Sequence, residues 1–526
     1  MSDPTLKVNS FGVFEVHNPT PELKKRLIDW GFVIDKTTKL YSTRMPSVAY
    51  KASEYADSRT RLALERMNEC KMASWSLSSE TKLRTPPSGL SYKPFQISGI
   101  EFMKKYKFVL NADQPGSGKT IQTAGLINEC SEIWNVLILC PASLRLNWEQ
   151  ELQKWLIDDI GRIEVVSYDS AWREQNFSRL SSENWDLIVM DEAQYVKDGK
   201  SKRSMAAQSL AISVPRVVLL TGTPVDNVPS DLFPLLHTLR PKMFPDFTPF
   251  AIRYCGAFLQ EIKVRGRTKK VWNTSGSSNE EELQDILRST LMIRRLKKDV
   301  LPQLPKKIRQ IIEIENAEKA VKAEDKTWKS VCEEVGYDEA LKQLEDGAGV
   351  AFNAMAGARK EVALAKVPYV LDFVENLLKG VDKIVLFAHH KDVVSALMEG
   401  LKAYNPVRLV GGMNDKDKND SVVRFQNDRS VKVFVGNIKA AGVGLTLTAS
   451  STVVFAEIIS VPAQMEQAED RCCRIGATVD SVLVYHIVLN GSLDVKMVRK
   501  LVEKQSTADK ILDICKEIRN EEVRNV

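Results

Sequence analysis

Residues 112–120 read Ala-Asp-Gln-Pro-Gly-Ser-Gly-Lys-Thr, between an apolar run, KFVLN, and a helix-like run, IQTAGLINE. Glycines, a lysine and a hydroxyl so close together are what a loop around a phosphate group requires. Gly116 and Gly118 permit tight left-handed turns and let backbone N–H groups approach an anion closely, with Ser117 between them. Lys119 can reach the β- and γ-phosphates of a nucleotide and Thr120 can ligate Mg²⁺, while the helix that follows adds its positive N-terminal end. Asp113 stands where the general GxxxxGK[ST] pattern has its first glycine.

Three further groups could complete such a site. Asp191-Glu192-Ala-Gln194 follows the apolar run LIVM. A carboxylate at the end of a parallel strand can hold Mg²⁺, which assigns that task to Asp191, and Glu192 can orient and deprotonate a water. Gln96, in SYKPFQ (91–96), can read the edge of adenine with its amide, and Phe95 or Tyr92 offers an apolar face, which favours ATP over GTP. In the second half, Gln467-Ala-Glu-Asp-Arg471-Cys-Cys-Arg474 puts two arginines three apart on one helical face, suited to the charge of a transferring phosphoryl group.

The elements that must carry these residues follow from the apolar pattern. KFVLNAD (107–113), NVLILCP (135–141), DLIVMDEA (186–193) and RVVLLTGTP (216–224) form one set of runs. KIVLFAHH (383–390), VKVFVGN (431–437), STVVFAE (451–457) and SVLVYHIV (481–488) form another. Each is rich in Val, Ile and Leu without alternation, as in strands buried on both faces, and most lead into a helix-like segment, the grammar of a parallel sheet. The expected fold is α/β, two parallel-sheet lobes with helical insertions and a small N-terminal α+β domain. The expected boundaries are 1–85 for the accessory domain, 86–275 for the first lobe, 276–365 for a helical insertion and inter-lobe segment, and 366–526 for the second lobe. Within 1–85, a helix is expected over 21–30 and a hairpin from WGFVID (30–35) and KLYST (39–43). AEKAVKAEDKTWKSVCEEV should be a surface helix with Trp328 buried.

Composition limits the alternatives. The 526 residues are 44% hydrophobic and 27% charged, ordinary globular values that exclude a mostly disordered chain. No apolar run reaches the roughly 20 residues of a membrane span, and the N-terminus lacks a secretory pattern. Eight cysteines without a CxxC pair give neither a disulfide scaffold nor a zinc module, and Cys472-Cys473 is read as a pair of thiols in a reducing cytoplasm. His389-His390 has no ligand-spaced partner for a metal. The net charge of +6 is small, so a nucleic-acid surface must come from local clusters: 197–203 (KDGKSKR), 263–270 (KVRGRTKK, either a protruding basic hairpin or a solvated loop) and 294–298 (RRLKK).

Taken in order, these motifs resemble those of the superfamily 2 helicase-related ATPases. Gln96 matches the adenine motif, GSGKT motif I, CPASL (140–144) with Asn147-Trp148 motif Ia, VSYD (166–169) motif Ib, DEAQ motif II, TGTP (221–224) motif III, AGVGLTLT (441–448) motif V and QAEDRCCRIG (467–476) motif VI. MIRRLKKDVLPQLPK (292–306) makes the chain similar to the Swi/Snf-like translocases. FAHH (387–390) and AKVP (365–368) resemble the HepA-related annealing-helicase and fork-remodelling branch. Gln194 departs from the commoner His of motif II, and 458–462 lacks the usual Trp-Asn-Pro.

The resemblance implies two RecA-like lobes, ATP and Mg²⁺ as cofactors, and catalytic roles for Lys119, Asp191, Glu192, Gln467, Arg471 and Arg474. It places Gly444 in the nucleotide site and implies movement along duplex or branched DNA without sequence preference. Backbone and hydroxyl contacts to phosphates would come from Pro141, Ser143, Thr223, His389, Gly412 and Thr446. Residues 1–85 lie outside the resemblance and are either a substrate-recognition module or a cap on the first lobe. Two other functions stay open: a strand-separating DNA or RNA helicase, and a nucleotide-gated scaffold with little turnover. The expected location is the nucleoid of a bacterial or phage-infected cell, or the nucleus in a eukaryote.

Overall fold

A computed structural model describes residues 3–157, 161–222, 224–225, 228–264, 267–301, 306–315, 318–346, 349–441, 445–459, 462–473, 481–495 and 497. The chain forms two compact units, Met1–Phe258 with Trp272–Val300, and Leu259–Val271 with Leu301–Ser506.

The first unit is built on a six-stranded, wholly parallel sheet. Its strands lie in the order Met292–Ile293, Phe108–Asn111, Val217–Leu220, Leu187–Asp191, Val136–Cys140, Ile163–Ser167. All four apolar runs of the first set are strands, and Val109, Val136, Ile188 and Val218 have no exposed surface. Burying each such side chain contributes about 1.5–3 kcal/mol. Parallel strands share one carboxyl edge, so residues 112–120, 141, 191–192 and 221 all emerge on the same side of the sheet.

The second unit repeats the plan with another parallel sheet, ordered Lys306–Ile314, Ser481–Leu489, Thr452–Phe455, Ile384–Ala388, Val433–Asn437, Val407–Leu409. Its carboxyl edge carries His389 and Glu457. Glu318–Val335, with Trp328 buried, packs with Val350–Leu377 against this unit. The stretch 276–365 thus supplies helices and also one edge strand to each sheet.

Residues 3–75 contain a four-stranded antiparallel sheet, Thr5–Val8, Phe14–His17, Tyr41–Thr43, Val33–Ile34 in spatial order. The helix Pro21–Trp30 starts where expected because Thr20 Oγ1 accepts from Leu23 N (3.2 Å) and Pro21 fits the first turn. It stops at Gly31, whose φ of 100° closes a left-handed cap. A second helix, Ser58–Trp75, packs on Glu280–Thr290 of the first unit. There Asp285 is buried and accepts from Ser47 N (2.9 Å) and pairs with Lys71 (3.1 Å), while Arg288 Nη1 donates to Ser74 O (3.2 Å). Residues 3–75 are thereby fixed to the first lobe through buried polar contacts.

No described helix is long and apolar enough to cross a membrane, and no group of His, Cys, Asp and Glu suited to a metal ion occurs among the described residues.

Candidate active site

The loop after Phe108–Asn111 has the geometry its glycines predict. Gly116 and Gly118 have φ of 84° and 80°, and Gly118 caps the helix Lys119–Glu129. A Cβ at Gly118 would lie 2.4 Å from Gln96 Nε2, so only glycine lets the loop meet the helix Pro94–Lys105. Gln96 Nε2 donates to Ser117 O (3.2 Å) and Gln96 Oε1 accepts from Lys93 N (2.9 Å), leaving one donor and one acceptor of the amide for a base. Phe95 corrects an expectation. It is 2% exposed with the Arg295 guanidinium 5.6 Å from its ring centre, so its ring belongs to the packing beneath the loop and offers no open face. Tyr92 is occupied too, its ring against Trp155 at 5.1 Å and its hydroxyl accepting from Asn128 Nδ2 (3.0 Å).

Lys119 Nζ donates to Asp113 O (2.8 Å), which uses one of its three donors. Burial depresses the Lys119 pKa, and the nearby carboxylates of Glu192, Asp113 and Asp191 oppose that shift. Ser117 Oγ is buried without a hydrogen-bond partner. An unsatisfied buried hydroxyl is costly, and at the tip of this loop a bound anion would satisfy it.

Asp191 ends the Leu187–Asp191 strand. Its Oδ2 accepts from Trp148 Nε1 (2.8 Å), its Oδ1 from Glu192 N (2.9 Å), and its carbonyl from the Tyr168 hydroxyl (2.8 Å). Burial, and next the Glu192 carboxylate, push its pKa up to about 7. A buried carboxylate beside a second, partly exposed one attracts a cation, and a divalent ion suits them. Glu192 itself has φ 49° and ψ 54°, an uncommon conformation for a non-glycine residue that turns the chain sharply off the strand. Gln194 Nε2 then donates to Glu192 Oε2 (2.8 Å), and Thr221 Oγ1 donates to Gln194 Oε1 (2.8 Å). The residue that departs from the usual His is the middle link between DEAQ and TGTP.

Within the cluster 294–298 the two arginines are the largest correction, while Lys298 is exposed. Arg294 and Arg295 are 6% and 2% exposed, and neither offers a cation to a nucleic-acid surface. Arg294 Nη1 donates to Ala112 O (2.8 Å) and Gly222 O (3.2 Å). Arg295 forms a buried ion pair with Asp113, Nε to Oδ1 at 3.0 Å and Nη2 to Oδ2 at 2.5 Å. Burial alone would raise the Asp113 carboxyl, but the Arg295 guanidinium holds it below its ordinary value. Of the other basic runs, Lys202 and Arg203 lie over the rings of Trp172 and Tyr195 at 5.0 and 5.6 Å. Phe258–Val264 and Arg267–Asn273 form a two-stranded sheet, with its tip at 265–266 and the side chains of 262–269 outside the described residues.

In the second unit, Pro462–Glu469 is a helix and both Gln467 and Arg471 are buried. Leu447 N donates to Arg471 O (2.8 Å), which joins motif V to motif VI. Glu457 accepts from the backbone N–H groups of His389 (2.6 Å) and His390 (2.9 Å) and pairs with His390 Nδ1 (2.5 Å). Gly412 has φ 91° with open space where a Cβ would be. Pro141 is buried at the end of its strand, and Thr446 is partly exposed. Thr223, Gly444, Arg474 and the side chain of Ser143 lie outside the described residues.

Sequence reasoning overlooked Trp148 and Tyr168 as supports of Asp191. The only signal was their place in motifs Ia and Ib, since a donor to a carboxylate 43 or 23 residues away leaves no local pattern.

The chain is similar to known proteins along most of its length. The model of the SNF2-related domain matches residues 95–179 and 161–329, and that of the helicase conserved C-terminal domain matches 366–476. The human protein named DNA annealing helicase and endonuclease ZRANB3 is 32% identical over 449 residues, 81% of this chain and 40% of that protein. The SWI/SNF-related matrix-associated actin-dependent regulator of chromatin subfamily A-like protein 1 of Xenopus tropicalis is 33% identical over 427 residues, 77% of this chain and 43% of that protein. The chain therefore spans less than half the length of these relatives. A solved structure, the Sulfolobus solfataricus SWI2/SNF2 ATPase core in complex with dsDNA, aligns over 83% of this chain and all of that one, with 22% identity and a TM-score of 0.38.

Proposed function

The chain belongs to the SNF2-related family, with a helicase conserved C-terminal domain after its SNF2-related domain, and on that premise we propose that it is an ATP-dependent translocase on double-stranded DNA. We assign it the reannealing or remodelling of branched DNA such as forks, a reading supported by its likeness to proteins named annealing helicases.

The observation that carries the reading is the meeting of the glycine loop, with its unsatisfied Ser117 hydroxyl, and the Asp191–Glu192 pair on one sheet edge. In this reading Gly116, Ser117, Gly118 and Lys119 bind the nucleotide phosphates, Gln96 takes the base, and Thr120 and Asp191 hold Mg²⁺. The ion would neutralise charge on the β- and γ-phosphates when bound. Glu192 accepts a proton from the attacking water, its carboxylate oriented by Gln194. Gln467, Arg471 and Arg474 offset the charge that spreads over the transferring group. Thr221, one hydrogen bond from Gln194, gives motif III a route to feel the state of Glu192.

For DNA we assign Pro141, Ser143, Thr223, His389, Gly412 and Thr446 to the phosphate backbone. Such binding is insensitive to sequence and weakens as salt rises.

The test is steady-state ATP hydrolysis with no nucleic acid, duplex, single-stranded DNA, forked DNA or RNA, beside Lys119→Ala and Glu192→Gln. Duplex or forks should stimulate the wild type strongly. Glu192→Gln should lower kcat by roughly 10²–10⁴-fold while nucleotide binding persists. Higher stimulation by forks than by plain duplex supports the remodelling assignment. Unwinding of a tailed duplex would replace it with a strand-separating helicase, and a flat, negligible rate in every condition would leave a nucleotide-gated scaffold.

A further inference from the structure

We infer that residues 294–309 supply positioning residues to both sets of groups assigned to ATP hydrolysis, Arg295 to the phosphate loop and Lys307 with Arg309 to motif VI. The inference rests on the ATPase reading and gives a role at the site to Arg295, which stands in the 292–306 motif without one, and to Lys307 and Arg309, which no quoted motif contains.

Arg295 joins three separate pieces of chain. Its backbone N–H (2.9 Å), Nε and Nη2 all go to the Asp113 carboxylate, which opens the loop. Nη2 also donates to Gln122 Oε1 (3.1 Å) on the helix that follows the loop, and Nη1 donates to Phe95 O beside Gln96. Gln122 in turn donates to Asp113 Oδ2 (3.0 Å) and accepts from Asn111 Nδ2 (3.1 Å). The start of the loop, its helix and the Gln96 helix are thereby set by one planar guanidinium. Space has been kept for it, since a Cβ at Gly99 would lie 2.0 Å from Gln122 Oε1 and 2.6 Å from Arg295 Nη2. Where the general loop pattern has a glycine, this chain has a carboxylate whose partner follows the neighbouring edge strand, Met292–Ile293.

The same stretch of chain continues into the edge strand Lys306–Ile314 of the second unit. There Lys307 Nζ pairs with Asp470 (2.7 Å) and Glu469 (3.1 Å), and Arg309 Nη2 pairs with Glu469 (2.6 Å). Glu469 and Asp470 are buried and lie between Gln467 and Arg471. Fixing those two carboxylates fixes the turn of chain that sets the directions of Gln467 and Arg471. An acidic pair between the polar residues of motif VI reads as solvated sequence until its two cations are seen.

Two variants separate this from general structural support. Arg295→Lys keeps the charge and loses the planar fork. It should retain a cooperative thermal transition and bind a fluorescent ATP analogue at least tenfold more weakly. The double variant Lys307→Gln with Arg309→Gln should bind the analogue within twofold of wild type and lose at least tenfold in kcat. Lys307→Arg should keep most of the activity. Wild-type nucleotide affinity in a folded Arg295→Lys overturns the first half. A double variant whose binding capacity and kcat fall in the same proportion has merely lost folded protein, and overturns the second. If the wild type binds nucleotide and does not hydrolyse it, the ATPase reading fails with the motif VI half, and the binding titration still decides the Arg295 half.

Discussion

The Asp113–Arg295 pair of the first unit and the Lys307 cluster of the second bury charge in opposite ways. In the first, Asp113 and Arg295 form a closed pair, 0% and 1% exposed at the side chain, and among the described residues Gln122 is the one other side chain bonded to the carboxylate. In the second, Lys307 serves Glu466, Glu469 and Asp470 together, and Arg309, 48% exposed, shares Glu469. Burial would lower the Lys307 pKa, yet the three carboxylates raise it well above its ordinary range. Burial would raise that of Glu469, yet Lys307 and Arg309 lower it. A closed pair has a single geometry and no spare partner, which suits a loop that must be ready before its ligand arrives. A shared cluster can lose one member and keep the rest.

That contrast can be broken at its strongest point first. Arg295→Ala leaves a buried carboxylate without its cation and should cost about 3–5 kcal/mol. Eight of the nine tryptophans lie in the first unit, so urea unfolding followed by tryptophan fluorescence reads it selectively. A loss under about 1 kcal/mol would show that the pair is not closed. Lys307→Ala should cost less, about 2–3 kcal/mol, because Arg309 remains to hold Glu469; circular dichroism during urea unfolding measures it.

A further buried carboxylate, Glu324, sharpens the comparison because it has no ion-pair partner among the described residues. Glu324 Oε2 accepts from Leu493 N (2.9 Å), and burial, with Asp494 adding to it and Arg359 and Lys366 opposing, raises its pKa to about 7. A carboxyl raised in the folded state binds more protons there than in the unfolded chain. Stability should therefore fall as pH rises from about 4.5 to 7 and level off above. Glu324→Gln should remove this fall, gaining about 1–3 kcal/mol at pH 8 and little at pH 5, measured by urea unfolding at both values. The smallest effect belongs to the exposed arm of the cluster. Arg309→Ala should cost about 1 kcal/mol or less and lose even that in 1 M salt, which screens a half-exposed pair within about 3 Å.

The sheets and the polar network were not equally readable from sequence. All eight apolar runs became strands because strands buried on both faces need no alternation and leave an unbroken apolar signal. Four strands at or near the sheet edges gave no such signal. Met292–Ile293 has two residues, Val407–Leu409 has an exposed Arg408, and Ile163–Ser167 is half-covered. Lys306–Ile314 leaves Ile308 and Ile311 about half exposed. Asp191, Glu192 and Lys119 stand where their motifs put them, because short motifs record contacts made by neighbours in the chain. Arg294 and Arg295 were read as surface cations because a run of basic residues says nothing about a carboxylate 182 positions earlier. Trp148 and Tyr168 escaped for the same reason.

The closed pair also sets an order in time. A ribosome adding about 5–20 residues per second needs roughly 10–40 seconds to go from Asp113 to Arg295, 182 positions later. Throughout that interval the Phe108–Asn111 strand can pair with Val217–Leu220 on one side once that strand has emerged, but its other edge waits for Met292–Ile293. A nascent first lobe thus holds an open strand edge and a carboxylate whose cation has yet to be made. Its phosphate loop reaches final form only when Arg295 has been translated, so a stalled or truncated chain ending before Arg295 carries the glycine loop without the means to hold it.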